Sequence, residues 1–177
     1  DGAMFSQAMQ LGDPGYIDGH HGEWISEPGP FAEFARSYWN AGYQIHVHTN
    51  GDGGAKMVLD TLQMLEGEKP RADHRFTIEH YGYANDGVSR RIAELRAQVS
   101  ANPFYLYDLG DRYAANGLGT DRAARIAPLG GLVKRNVPVA LHSDFPMAPA
   151  EPLFLAWTAV SRETLSGKVF APTERLT

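Results

Sequence analysis

A chain of 177 residues with 43% hydrophobic content is long enough for one domain with a sizeable core. Its net charge of −5, with acidic and basic residues interspersed, leaves no basic patch for nucleic acid. No apolar run approaches the ~20 residues that span a bilayer, so the chain reads as soluble. Cysteine is absent, which excludes disulfides and thiolate metal sites and leaves His, Asp and Glu as ligand types.

The stretch Asp1 to Glu27 holds no period and is punctuated by Gly and Pro. A loop of this length is uncommon inside a domain, and Met4, Phe5, Met9, Tyr16 and Trp24 keep it from looking disordered, so a ligand-covering loop is expected. A helix is expected from about Phe31 to Asn40, with Phe31, Phe34, Ala35 and Tyr38 on its inward face and Gly42 as its stop. Strand Tyr43 to Thr49 and helix Gly53 to Glu66 follow, then strand Arg75 to Glu79 leading to His80. Asn85 is placed to cap the next helix. Strand Gln98 to Asn102 ends at Pro103 and an aromatic run, Phe104, Tyr105 and Tyr107. A loop carrying Gly110, Gly117 and Gly119 then leads to a helix from about Asp121 to Lys134. Strand Val137 to His142 and helix Leu153 to Val160 complete the pattern.

Strands alternating with helices imply βαβ units and a parallel sheet. A (β/α)8 barrel of ~250 residues spends roughly 31 residues per unit. His48 and His80 are 32 residues apart and His80 and Asp144 are 64 apart, one unit and two. All three therefore close strands on the face where barrel enzymes keep their chemistry. Four strands alone leave two raw edges. The expected fold is α/β, the C-terminal portion (about strands five to eight) of a TIM-type barrel. Residues 1–29 form its long loop and residues 30–177 its four βα units.

Two imidazoles and a carboxylate suit a borderline divalent ion such as Zn(II) or Fe(II). A lone histidine ending a strand is otherwise a hydrogen-bonded core residue, and that reading stays open for each taken singly. His46, two residues before His48, is a rival ligand or packs one layer deeper. His142 stands two residues before Asp144 as a supporting or substrate-facing group. His74 reads as solvated in a polar turn, and His20 and His21 as exposed. Asn50 and Asp52 are expected to bond amides of their own turn and the next helix. Glu79, adjacent to His80, is expected to face the helix layer, and Arg162 to pair with a loop carboxylate. Phe104, Tyr105, Tyr107 and Phe145 are candidate walls of an apolar substrate pocket.

These motifs together resemble the amidohydrolase superfamily, in the branch of N-substituted formamide deformylase and the YtcJ-like and exoenzyme-regulatory-like metal-dependent hydrolases. His48-Thr49-Asn50-Gly51-Asp52 resembles the His-x-x-Gly-Asp after barrel strand five. Arg75-Phe76-Thr77-Ile78-Glu79-His80 resembles the Arg-x-x-Ile-Glu-His of strand six. His142-Ser143-Asp144-Phe145-Pro146, with Glu151-Pro152-Leu153 and Ala159-Val160-Ser161-Arg162 after it, resembles the Gly-Ser-Asp-x-Pro segment of strand eight. Asp1-Gly2 is similar to the end of a strand-four Lys-x-x-x-Asp-Gly motif. Two departures stand out: His142 replaces a usual glycine, and the family's strand-one His-x-His and strand-four lysine lie outside this sequence.

The resemblance implies a metal-dependent hydrolase of non-peptide carbon–nitrogen bonds, such as amides or N-substituted formamides. His48, His80 and Asp144 would be the metal ligands, one or two ions would be bound, and zinc is favoured with iron compatible. Asp144 would move the proton, with His80 as a second catalytic group. The partner is a small-molecule substrate, and a homodimer along the raw edges is a further expectation. The 177 residues are expected to be inactive alone, and the cytoplasm is the favoured compartment. The alternative is a non-catalytic regulatory or binding protein on the same barrel.

Overall fold

The computed structural model describes residues 1–177. Seven helices and four strands follow in the order α1 (Pro28–Asn40), β1 (His46–Thr49), α2 (Asp52–Glu68), β2 (Thr77–His80), α3 (Asp86–Glu94), β3 (Gln98–Ala101), α4 (Phe104–Asn116), α5 (Thr120–Ala123), α6 (Leu129–Val133), β4 (Val139–Leu141) and α7 (Pro152–Ser161), with a 3-10 turn at Pro172–Glu174. The strands form one parallel sheet in chain order, β1-β2-β3-β4. No helix is long and apolar enough to cross a membrane.

The register explains which face does what. Val47, Ile78, Val99 and Val139 lie on one row across the sheet and pack on the helix layer with Leu59, Leu62, Ile92, Leu129 and Leu132. Full burial of one such leucine contributes roughly 1.5–3 kcal/mol. The neighbouring row, His48, Glu79, Ser100 and Ala140, belongs to the opposite, polar face. Prolines open α1, where a missing amide costs nothing, and Asn85 caps α3 by accepting from the Val88 amide at 3.1 Å.

Several expected elements differ. The loop with Gly110 is instead helix α4, whose buried Tyr105, Leu106, Leu109 and Tyr113 form a helical stripe. Gly110 serves packing there, since a Cβ would stand 3.0 Å from the Thr164 methyl. The single helix expected from Asp121 to Lys134 is split into α5 and α6. Pro128, which lacks an amide, stands between them beside Ala127 at φ 43°. On α1 the inward residues are Ala35 and Trp39, while Phe34 and Tyr38 are exposed beside the unpaired edge of β1. A cavity of about 430 Å³ lies along that edge, lined by Phe34, Tyr38, Ile45 and Met57.

The opening segment carries no helix or strand through Glu27. It is nevertheless packed: Met4, Met9, Leu11 and Tyr16 are buried in a second core with Tyr105, Tyr113, Ile126 and Phe170. The Asp1 carboxylate accepts from the amides of Gln10, Asn50 and Gly51 at 2.9, 2.9 and 2.7 Å. Gly51 is needed at this junction, because a Cβ would meet the Gln10 carbonyl at 2.0 Å.

Candidate metal centre

His48, His80, His142 and Asp144 gather at the C-terminal ends of the strands. His48 projects from the polar face of β1, and its ring meets that of His80 edge to face with centroids 4.4 Å apart. His80 gets there by leaving the pleat: its φ is 72° and that of Tyr81 is 52°, so the strand's alternation stops. Its ring is 4.9 Å from that of His142, and its Nδ1 lies 3.9 Å from Asp144 Oδ2. Asp144, also left-handed at φ 54°, keeps its carboxylate half-exposed in the mouth of the site. Burial, then the neighbouring His48 and His142, push the His80 pKa down to about 4. Burial also lowers that of His48. Both rings are therefore neutral near pH 7, the form that offers a lone pair to a metal.

Around this group, Tyr105 is buried with its hydroxyl 3.4 Å from His80 Nδ1. Burial, then Asp144, raises its pKa, so it stays a phenol. His46 stands one pleat repeat below His48, its Nδ1 at 2.5 Å from Glu79 Oε1 and its Nε2 at 2.8 Å from the Gln44 amide nitrogen. Phe145 is exposed and lines a cavity of about 490 Å³ beside Asp144 with Phe5, Pro146 and Met147. Phe104 and Tyr107 instead pack with Phe154 between α4 and α7.

Other residues stand differently from their sequence reading. Glu79 does not face the helices; it shares the polar face with His48, because the turn at His80 breaks the alternation on which that inference rested. His74 is not solvated but buried. It accepts the Phe76 amide on Nδ1 and faces the Leu95 carbonyl through Nε2 at 3.1 Å. Arg162 bonds no carboxylate; its buried guanidinium donates to the carbonyls of Phe170, Ala127, Ala124 and Ile126. Asp52 reaches away from its own turn, accepting from the Gly12 amide and the Asn85 side chain, and Asn50 donates to the Gly2 carbonyl. His20 and His21 are about two-fifths exposed at their side chains.

The donor chemistry of His48, His80 and Asp144 fits a divalent ion: two neutral imidazoles and a carboxylate. No three His, Asp or Glu side chains stand at the spacing that would hold an ion.

The sequence matches the amidohydrolase family over residues 3–177. The chain belongs to the amidohydrolase family. It is 32% identical over 165 residues to Protein LONG AFTER FAR-RED 3 of Arabidopsis thaliana, covering 92% of this chain and 28% of that protein. It is 28% identical over 136 residues to N-substituted formamide deformylase of Arthrobacter pascens, covering 77% and 25%. Two solved structures share the fold. An uncharacterized metal-dependent hydrolase from Pyrococcus furiosus superposes with a TM-score of 0.81 at 25% identity, over 100% of this chain and 35% of that one. A second, from Pyrococcus horikoshii OT3, gives 0.82 at 21% identity, over 99% and 35%. This amidohydrolase-family chain thus spans about a quarter to a third of the length of these relatives.

Proposed function

We propose that the protein is a metal-dependent hydrolase of carbon–nitrogen bonds other than peptide bonds, acting on amides or N-substituted formamides. The observation that carries this reading is the meeting of His48, His80 and Asp144 at three strand ends, within 4.4 Å between rings and 3.9 Å between His80 and Asp144. His48, His80 and Asp144 would hold a divalent ion, zinc in preference to iron, with one or two ions in the complete shell. Such an ion, when bound, supplies Lewis-acid polarisation of water and of the scissile carbonyl. Asp144, whose carboxylate is half-exposed in the mouth of the site, orients the attacking water, takes its proton and returns it to the leaving amine. The buried neutral His80 steadies the carbonyl side, and the Tyr105 hydroxyl holds its ring. The cavity bounded by Phe5 and Phe145 would seat an apolar part of the substrate.

On this reading residues 1–177 are one portion of a TIM-type barrel, inactive as an isolated piece. The test is metal analysis with kinetics. Asp144→Asn should abolish amide hydrolysis by the full-length protein while leaving its fold intact, and the 177-residue chain should give no turnover. Turnover by the full-length Asp144→Asn variant at the wild-type rate would overturn the assignment. A second reading, a non-catalytic binding protein on the same scaffold, is favoured by the lack of three donors at ligand spacing. A full-length protein free of metal would support it. Pairing of two copies along the raw sheet edges is a separate expectation, read by sedimentation.

A further inference from the structure

Below the strand-end group, a line of polar side chains crosses the sheet. Glu79, on β2, sits between His46 of β1 and His142 after β4, with Ser100 of β3 level with it. One carboxylate oxygen, Oε1, is 2.5 Å from His46 Nδ1. The other, Oε2, is 3.9 Å from His142 Nε2, too far for a direct hydrogen bond but close enough for a strong field. A glutamate side chain is ionised near pH 7, and both of its oxygens face imidazole nitrogens here.

An anion so placed dictates the tautomers of its neighbours. His46 must carry its proton on Nδ1 to bond Glu79, which leaves Nε2 to accept from the Gln44 amide at 2.8 Å. His142 Nε2 is buried and has no hydrogen-bond partner, and the carboxylate is the charge it faces. A buried lone pair turned toward an anion is repelled, whereas an N–H is attracted, so Nε2 carries the proton. Nδ1 is then the free lone pair of a ring 4.9 Å from that of His80.

We propose that Glu79 is a positioning residue that fixes the tautomers of His46 and His142 through its two oxygens, and that His142 Nδ1 is thereby presented as an additional donor for a divalent metal ion. The ligand role rests on the metal reading above; the tautomers do not. This gives a purpose to a histidine at the strand-eight position and to a glutamate that touches no metal itself, in the way outer carboxylates orient ligating imidazoles.

The test uses the metal-free 177-residue chain, labelled with ¹⁵N, at about pH 8 where unperturbed imidazole is neutral. Long-range ¹H–¹⁵N spectra distinguish the tautomers. The expected result is Nδ1–H for His46 and Nε2–H for His142, with His142 becoming a tautomer mixture in Glu79→Gln. His74 is the internal control, since its Nε2–H form is set by Phe76 and Leu95 and stays unchanged in a folded variant. An Nδ1–H form of His142 in the wild-type chain overturns the proposal without recourse to any variant, and so does an unmoved His142 in folded Glu79→Gln. Zinc titration by calorimetry tests the second half, with a loss of about tenfold or more expected in both His142→Ala and Glu79→Gln. Uptake unchanged by His142→Ala overturns the ligand role alone. No uptake by any form overturns the metal reading for this chain and the ligand role with it.

Discussion

His48 and His80 meet edge to face at 4.4 Å although they come from different levels of the sheet: His48 is level with Glu79, and His80 with Thr49. The left-handed backbone at His80 closes that gap. Two neutral rings held together in this way turn lone pairs toward a common ion. Loss of either should therefore lower zinc retention after dialysis by at least about tenfold. Elemental analysis of His48→Ala and His80→Ala, each compared with the wild-type chain, reads this directly. Retention equal to wild type in both variants would contradict the assignment of these rings as ligands.

Arg162 should matter more to stability than its place beyond α7 suggests. Its guanidinium is buried and lowered in pKa to about 10 by that burial, and it satisfies four backbone carbonyls. Truncation leaves those oxygens buried without donors, a cost of roughly 3–5 kcal/mol. Lysine, a point charge with three donors, should not rescue it. Urea unfolding of Arg162→Met and Arg162→Lys measures both; a loss under about 1 kcal/mol in either would be incompatible with the carbonyl cage.

His74 should give the fold a pH dependence. Burial holds its pKa below the usual 6.5, and protonation of Nδ1 would set an N–H against the Phe76 amide. The unfolded chain takes up a proton as pH falls through about 6.5, and the folded chain resists, so stability is full above that pH and declines below it. His74→Asn keeps an acceptor for Phe76 and cannot titrate. It should be less stable than wild type at pH 7.5, with the gap narrowing toward pH 5. A gap that stays constant across that range would rule out the titration of His74 as its source.

Asn85 carries two connections at once. Its side chain caps α3 and donates to Asp52 at the start of α2. Asn85→Ala should cost about 1–2 kcal/mol, and Asn85→Asp less, since aspartate retains the cap while repelling Asp52. Thermal unfolding of the two variants separates cap from link. Equal losses would show that the link to Asp52, not the cap, is what the residue contributes.

Much of this was visible in the residues themselves. The unit spacing of His48, His80 and Asp144 reflects a chain repeat, which is a one-dimensional property, and the family assignment follows from local motifs. Facing was harder to read. Strict alternation counted back from His80 puts Glu79 on the helix side, whereas His80 turns left-handed and no residue type announces that turn. Helix α4 was hidden by Gly110, whose role is set by Thr164 more than fifty residues away. The depth of His74 likewise depends on Trp39 and Leu95, partners that lie far off in the chain. Contacts of that kind become legible only once the strands are paired.

The three amides collected by the Asp1 carboxylate have a consequence for motion. Gln10 belongs to the opening segment, and Asn50 and Gly51 to the turn behind His48. One anion grips both, so neither piece can open without releasing the other. The opening segment and the backbone behind His48 then exchange with solvent as a single cooperative unit, at one shared free energy. Whatever perturbs the first ten residues is felt at the turn behind the histidine, through that one carboxylate.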